Sequence, residues 1–196
     1  MGYLIYDLEI VKAIPDHKKP NEPGIEYCAG WDDHANMGVS VIGAYDTEEA
    51  RFRVFTQESF GEFEALAEER LLVGFNSIHF DDRVLKHVGV NVETKYDILQ
   101  EMWVAAGLGR KFQYPSHVGF GLNATAQANG IGSKTGWGGY APVQWQRGEY
   151  GSVIDYCLED VRLTWKLLEI VRLNGKLRDP RDPALWLHFN EEVPVW

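Results

Sequence analysis

The first nine residues constrain the fold more than any other part of the chain. Tyr3-Leu4-Ile5-Tyr6-Asp7-Leu8-Glu9 is apolar and aromatic enough for a strand buried in a sheet, yet it ends on two carboxylates. Strand side chains alternate, so Asp7 and Glu9 share one face, where two like charges repel unless something neutralises them. A divalent cation is the simplest neutraliser. The spacing alone is a cheap pattern: Asp46-Thr47-Glu48 repeats it in what reads as a turn.

The rest of the chain supplies a sheet for that strand. Pro15 to Pro23 is polar and holds three prolines, so an exposed loop follows the first strand. Val39–Tyr45 and Arg51–Phe55 read as two strands of a meander, Phe60–Glu69 as a helix and Leu71–Phe75 as a short central strand. From there the pattern turns helical, over Asp81–Val88, Tyr96–Ala106, Leu122–Asn129 and a long last segment, Tyr150–Leu173, that stops at Asn174-Gly175. This order implies an α/β fold with a mixed β-sheet flanked by helices. Residues 1–175 are expected to form a single domain, and 176–196 a C-terminal tail packed on it.

Composition narrows the classes of function. The 196 residues are 45% hydrophobic, which suits one core, and carry a formal charge of −10. Such a balance disfavours broad electrostatic binding to long nucleic acid or to anionic membrane. No apolar run approaches the ~18 residues of a membrane span, and no secretory signal is visible. Cys28 and Cys157 form no metal-ligand cluster. A soluble, cytoplasmic protein in a reducing compartment is the expectation.

Two further constellations carry acids. Asn76-Ser77-Ile78-His79-Phe80-Asp81 follows the short central strand and opens a helix, placing Asp81 at a strand's carboxyl end, where open α/β sheets gather ligands. Helix capping by Asp81 or Asp82 needs no such chemistry and is the bland reading. On the last helix, Tyr156 and Asp160 are four apart, so the hydroxyl and the carboxylate share a face one turn apart.

Taken together and in this order, Asp-x-Glu, Asn-x-x-x-Phe-Asp and Tyr-x-x-x-Asp resemble the motifs of the DEDDy-type 3′-to-5′ exonucleases of the ribonuclease-H-like superfamily. The resemblance is greatest to the proofreading exonuclease domain of family B DNA polymerases, and it spans residues 3 to 173. The sister subgroup uses His where this chain has Asp155. The resemblance implies a ribonuclease-H-like sheet and an enzyme that hydrolyses phosphodiester bonds from the 3′ end of single-stranded DNA. It also implies two divalent cations, Mg²⁺ or Mn²⁺, as cofactors. Asp7 would bridge both; Glu9 and Asp160 would hold the cation that carries the attacking water; Asp81 would support the other. Tyr156 would orient the water, a task that needs no deprotonation of a phenol with an ordinary pKa near 10.

Around these residues, Leu8, Asn76, Phe80, Arg83 and Lys134 are candidates for substrate binding, with Arg147 a further cation. Gly109-Arg110-Lys111-Phe112-Gln113-Tyr114 alternates basic and aromatic residues, a combination that stacks single-stranded bases beside a neutralised backbone, or else is a plain solvated loop. Gly130–Tyr140 is Gly-rich, but Ser133 stands where a phosphate-binding loop requires Gly. Two other readings keep the same motifs: a 3′-to-5′ exoribonuclease, and a non-catalytic nucleic-acid-binding module. A replication or repair protein is the expected kind of partner.

Overall fold

The computed structural model describes residues 2–16, 18–133, 138–190 and 193–194. Its centre is a five-stranded mixed sheet built by β1 (Tyr3–Ile10), β2 (Val39–Asp46), β3 (Arg51–Phe55), β4 (Leu71–Gly74) and β5 (Tyr96–Asp97), in the order β3-β2-β1-β4-β5. β1 is the middle strand, antiparallel to β2 and parallel to β4. A middle strand covered on both faces must be apolar on both, and β1 is. Leu4, Tyr6, Leu8 and Ile10 enter one core with Phe60 and Phe63 of α2 (Phe60–Glu68) and Val84 and Leu85 of α3 (Asp81–His87). Tyr3 and Ile5 enter the opposite core, against α4 (Ile98–Ala105), α5 (Leu122–Ala128) and α7 (Tyr150–Asn174). The alternation that buries Ile5 also turns Asp7 and Glu9 toward the α7 side.

The elements expected from the sequence are present with shifted ends, and one differs in kind. The helix expected over Tyr96–Ala106 starts two residues later: Tyr96-Asp97 pairs with Val73-Gly74 as the parallel edge strand. Asp97 is then free to cap α4, accepting from the backbone N–H groups of Leu99 (3.0 Å) and Gln100 (3.4 Å). Two short helices appear where no pattern announced them, α1 (His34–Met37) and α6 (Ala141–Gln146). α7 ends as its sequence requires, with Gly175 at φ 64° and its N–H on the Val171 carbonyl. Within the C-terminal segment, β6 (Lys176–Asp179) and β7 (Asp182–His188) form a hairpin. Its Leu177 and Leu187 complete the core beneath α7. Trp103 is buried and Trp165 stacks on Tyr45 at 4.1 Å, both as core residues. No described helix is long and apolar enough to cross a membrane.

Candidate active site

Three carboxylates converge where β1 meets α7. Asp7, Glu9 and Asp160 each place an oxygen within 4.8 Å of the others, and Glu9 and Asp160 are only 8% and 4% exposed. Close approach of α7 to the sheet makes this possible. Gly43 lies directly across from Asp7 on β2, and a Cβ there would stand 2.9 Å from Cys157 Sγ and 3.2 Å from Leu158 Cδ2. Glycine at 43 therefore lets the helix sit one side-chain layer closer than alanine would. The Cys157 thiol in turn donates to the Asp7 carbonyl at 3.4 Å, tying the middle of α7 to the strand that bears the acids. Burial, reinforced by Asp7 and Glu9, pushes that thiol's pKa well up, so it stays protonated.

Glu9 also sits at an irregularity in the sheet. Glu9 pairs with Val41 but Ile10 pairs with Val39, so Ser40 is an extra residue whose hydroxyl donates to the Glu9 carbonyl at 2.9 Å. A bulge of this kind bends the strand and re-aims the neighbouring side chain.

Asp81 reaches the site from the other side of β1. It is 4% exposed, and its Oδ1 accepts the Leu8 N–H at 3.2 Å. Its carboxylate is outside the converging three but is joined to them through the backbone between Asp7 and Glu9. Burial, then the neighbouring charges of Asp82 and Asp97, raise its pKa to about 8. The turn that delivers Asp81 is tightly held. A Cβ at Gly74 would fall 1.7 Å from Ser77 Oγ, and Asn76 adopts φ 71°, a left-handed conformation that Asn tolerates better than most residues. Two amides of this turn find the same partner: Asp97 accepts from the N–H groups of Asn76 (2.9 Å) and Ile78 (3.1 Å) as well as from those of α4. The helix expected over Tyr96–Ala106 gives Asp97 no part in this turn; the structure makes it the acceptor that holds it. The sequence signal for Asp97 is only that of an N-cap, an Asp directly before the helical run that starts at Ile98.

The remaining candidates fall into three groups. Tyr156 lies one turn before Asp160 on α7, half-buried against a small cluster of Val41, Ala141, Val153 and Cys157. Asn76, Phe80 and Arg83 line a cavity whose described lining includes none of Asp7, Glu9, Asp81 and Asp160. Leu8 does not join them, because its side chain is 5% exposed in the core; what it presents to the site is its backbone N–H. Lys134 lies outside the described residues. Arg147 is engaged elsewhere, pairing with Glu22 at 2.5 Å and stacking over Tyr140. Asp82 is not a helix cap: its carboxylate accepts from the Tyr6 hydroxyl (2.5 Å) and from the N–H (3.0 Å) and hydroxyl (2.8 Å) of Thr94. Glu159 pairs with Arg162, off the face of Asp160.

Three convergent carboxylates make a hard, anionic oxygen donor set of the kind that could hold a metal cation. Carboxylates brought this close repel one another, and a cation between them relieves that repulsion. The residues therefore fit a metal.

No protein-family model matches the chain, and no curated protein matches it either. Among solved structures, the chain is similar to the family B DNA polymerase from the hyperthermophilic archaeon Pyrobaculum calidifontis, with a TM-score of 0.58 at 17% identity. The match covers 87% of this chain and 24% of the polymerase chain. At that identity the likeness is one of fold, and the chain spans about a quarter of the polymerase's length: it shares a mixed α/β architecture with one portion of a nucleic-acid enzyme.

Proposed function

We propose that the protein is a metal-dependent 3′-to-5′ exonuclease acting on single-stranded DNA ends. The observation that carries the proposal is the convergence of Asp7 and Glu9 with Asp160, 151 residues beyond Glu9 in sequence, on one point at the end of the central strand. Asp7, Glu9 and Asp160 would hold a divalent cation, with Asp81 beside them for a second. Bound there, such cations supply a hydroxide equivalent near neutral pH and stabilise charge on the attacking and leaving oxygens.

The chain's own groups then have separate tasks. Tyr156, one turn from Asp160, hydrogen-bonds the attacking water through its hydroxyl and points it at the phosphorus. The water oxygen bonds to phosphorus as the bond to the preceding nucleotide's 3′ oxygen breaks, and the water's proton passes to solvent while the 3′ oxygen regains one. Asp97 holds the turn that presents Asn76 and Asp81, and the Cys157 thiol holds the Asp7 carbonyl, so the acids are set before substrate arrives.

The acidic exterior fits a short footprint. Two divalent ions would raise the formal charge of −10 by four, to −6, with the gain concentrated at the site. Attraction for phosphate is then local rather than spread over a basic face.

The test is to incubate the protein with Mg²⁺ or Mn²⁺ and 5′-labelled single-stranded DNA and RNA of equal sequence. A stepwise ladder shortening from the 3′ end of DNA, absent in Asp7→Asn, is the expected result. A ladder on RNA alone would reassign the substrate to RNA, and an undegraded or internally cut strand would overturn the exonuclease reading.

A further inference from the structure

The hairpin of β6 and β7 turns one face inward and the other to solvent. Leu177 pairs with Leu187 on the buried face, so Lys176, Arg178, Trp186 and His188 share the outer one, with Lys176 across from His188 and Arg178 across from Trp186. The Lys176 ammonium lies 4.6 Å and the Arg178 guanidinium 3.7 Å from the centre of the Trp186 ring, which is still 40% exposed. The one acid of β7, Asp182, stands about 13 Å further along that strand beside the turn, where its carboxylate accepts the Ala184 N–H at 3.1 Å.

The cations of this end of the molecule divide into two kinds. Arg172 is paired with Glu169 at 2.7 Å and Arg181 with Asp179 at 2.9 Å. Lys176 and Arg178 have no carboxylate partner among the described residues, and Arg178 donates one N–H to the Ala184 carbonyl at 3.4 Å. One cation over the ring is enough to pin the indole to the hairpin; a second adds charge to a face that already has it. On a chain of net charge −10, such a face is a local attractor for anions. The ring decides which anion. An acidic peptide matches the cations and leaves the indole unused, and one ring with two cations is too small an area to hold a bilayer surface. A nucleic-acid strand uses both, with phosphates against the cations and a base against the indole.

We propose that the outer face of this hairpin is a second nucleic-acid contact, remote from the acids, in which Lys176 and Arg178 hold the phosphodiester backbone and Trp186 stacks one base. From Asp160 to Asn174, where α7 gives way to β6, the helix rises about 21 Å. At the ~3.4 Å per nucleotide of a stacked strand, that is about six nucleotides, so the hairpin meets the strand well back from an end held at the acids. The contact itself stands apart from the exonuclease reading, and only its effect on turnover rests on that reading. Two phosphates are a small footprint, in keeping with the acidic exterior elsewhere.

Binding is measured in chelator and at low salt, where the converging acids attract no phosphate, by fluorescence anisotropy of a labelled oligothymidylate of about 20 nucleotides. Trp186→Ala is expected to weaken binding about 10-fold, with Trp186→Phe retaining most of it. Lys176→Gln combined with Arg178→Gln removes two phosphate contacts and should flatten the slope of log affinity against log salt by about 1.4. In Mg²⁺ the same variants should lower kcat/KM on the long strand through KM and leave a trinucleotide, too short to span the distance, unchanged. A wild type that does not bind in chelator, or variants that bind within about two-fold of it with the same salt slope, overturn the proposal. A lowered Tm beside such unchanged binding makes the face a structural staple of the hairpin and nothing more. Equal losses on the trinucleotide overturn the remote placement. Polyglutamate that displaces the labelled strand as well as unlabelled strand of matched charge overturns the assignment to nucleic acid in favour of an acidic protein segment. Variant-sensitive binding in chelator with no 3′ ladder in Mg²⁺ overturns the exonuclease reading and leaves the contact standing.

Discussion

Replacing Gly43 with alanine tests whether the closeness of α7 to the sheet is what assembles the acids. The new methyl would stand 2.9 Å from Cys157 Sγ, 3.2 Å from Leu158 Cδ2 and 3.5 Å from Val161 Cγ2. Leu158 is half-buried and can turn aside, but Cys157 is fully buried and has nowhere to go. Overpacking of one methyl in a dense core costs about 1–3 kcal/mol, and relief of the glycine's chain entropy in a strand returns about 0.5–1 kcal/mol. A net loss of about 1–2 kcal/mol is expected for Gly43→Ala, or a few °C in Tm for a chain of this size. Cys157→Ala alone should lose about 1 kcal/mol through the small void it leaves. In the double variant the methyl at 43 occupies the space the sulfur vacates, so the two losses should fall short of their sum by about 1 kcal/mol or more. Urea titration of the four proteins gives that coupling directly, and calorimetric titration with Mn²⁺ should show Gly43→Ala weakening and the double variant recovering. Losses that add within about 0.3–0.5 kcal/mol would refute the steric account.

Other expectations concern single groups. Asp97→Ala removes the acceptor of four backbone N–H groups and should destabilise by about 3 kcal/mol in urea, with Asp97→Asn milder, while a loss below about 0.5 kcal/mol would deny its role in holding the turn. Asp81 binds its proton more tightly folded, at about 8, than unfolded, near 3.9, so in chelator the folded state is favoured at low pH and loses stability as pH rises between those values. Asp81→Asn should flatten that slope, and melts at pH 5 and pH 8 read it. Tyr156→Phe should lower kcat far more than it raises KM; the reverse pattern would move Tyr156 from chemistry to binding. Affinity for a long single strand should fall only shallowly with salt, and a steep slope would point to a basic stripe instead.

Much of the sheet and of the site was legible because hydrophobic alternation and acid placement are local signals. β1 announces both its burial and its shared face for Asp7 and Glu9 within seven residues, and α7 places Tyr156 and Asp160 by helical period alone. The illegible parts are those fixed by partners distant in sequence. Tyr96-Asp97 is too short for a strand pattern and is made one only by Val73 and Gly74 beside it. The terminal hairpin hides because most of β7 is exposed, leaving no alternation to read. Asp97 works through amides of the backbone, which leave no trace in side-chain type. The cavity's two walls come from loops 81 residues apart, Trp31 and Phe112, and only the folded chain brings them to one place.

The bulge at Ser40 has a bearing on how such a chain can change over time. It absorbs a one-residue mismatch where the excursion of residues 11–38 rejoins the sheet. Length changes within that excursion therefore arrive at a joint that already tolerates misregister, and they need not slide β2 against β1 or rotate Asp7 and Glu9 off their face. The wall that carries Trp31 is free to be lengthened, shortened or exchanged while the acids keep their geometry. Divergence in the lining of that cavity can proceed there independently of the chemistry, and the same stretch is the natural place to graft a new recognition loop.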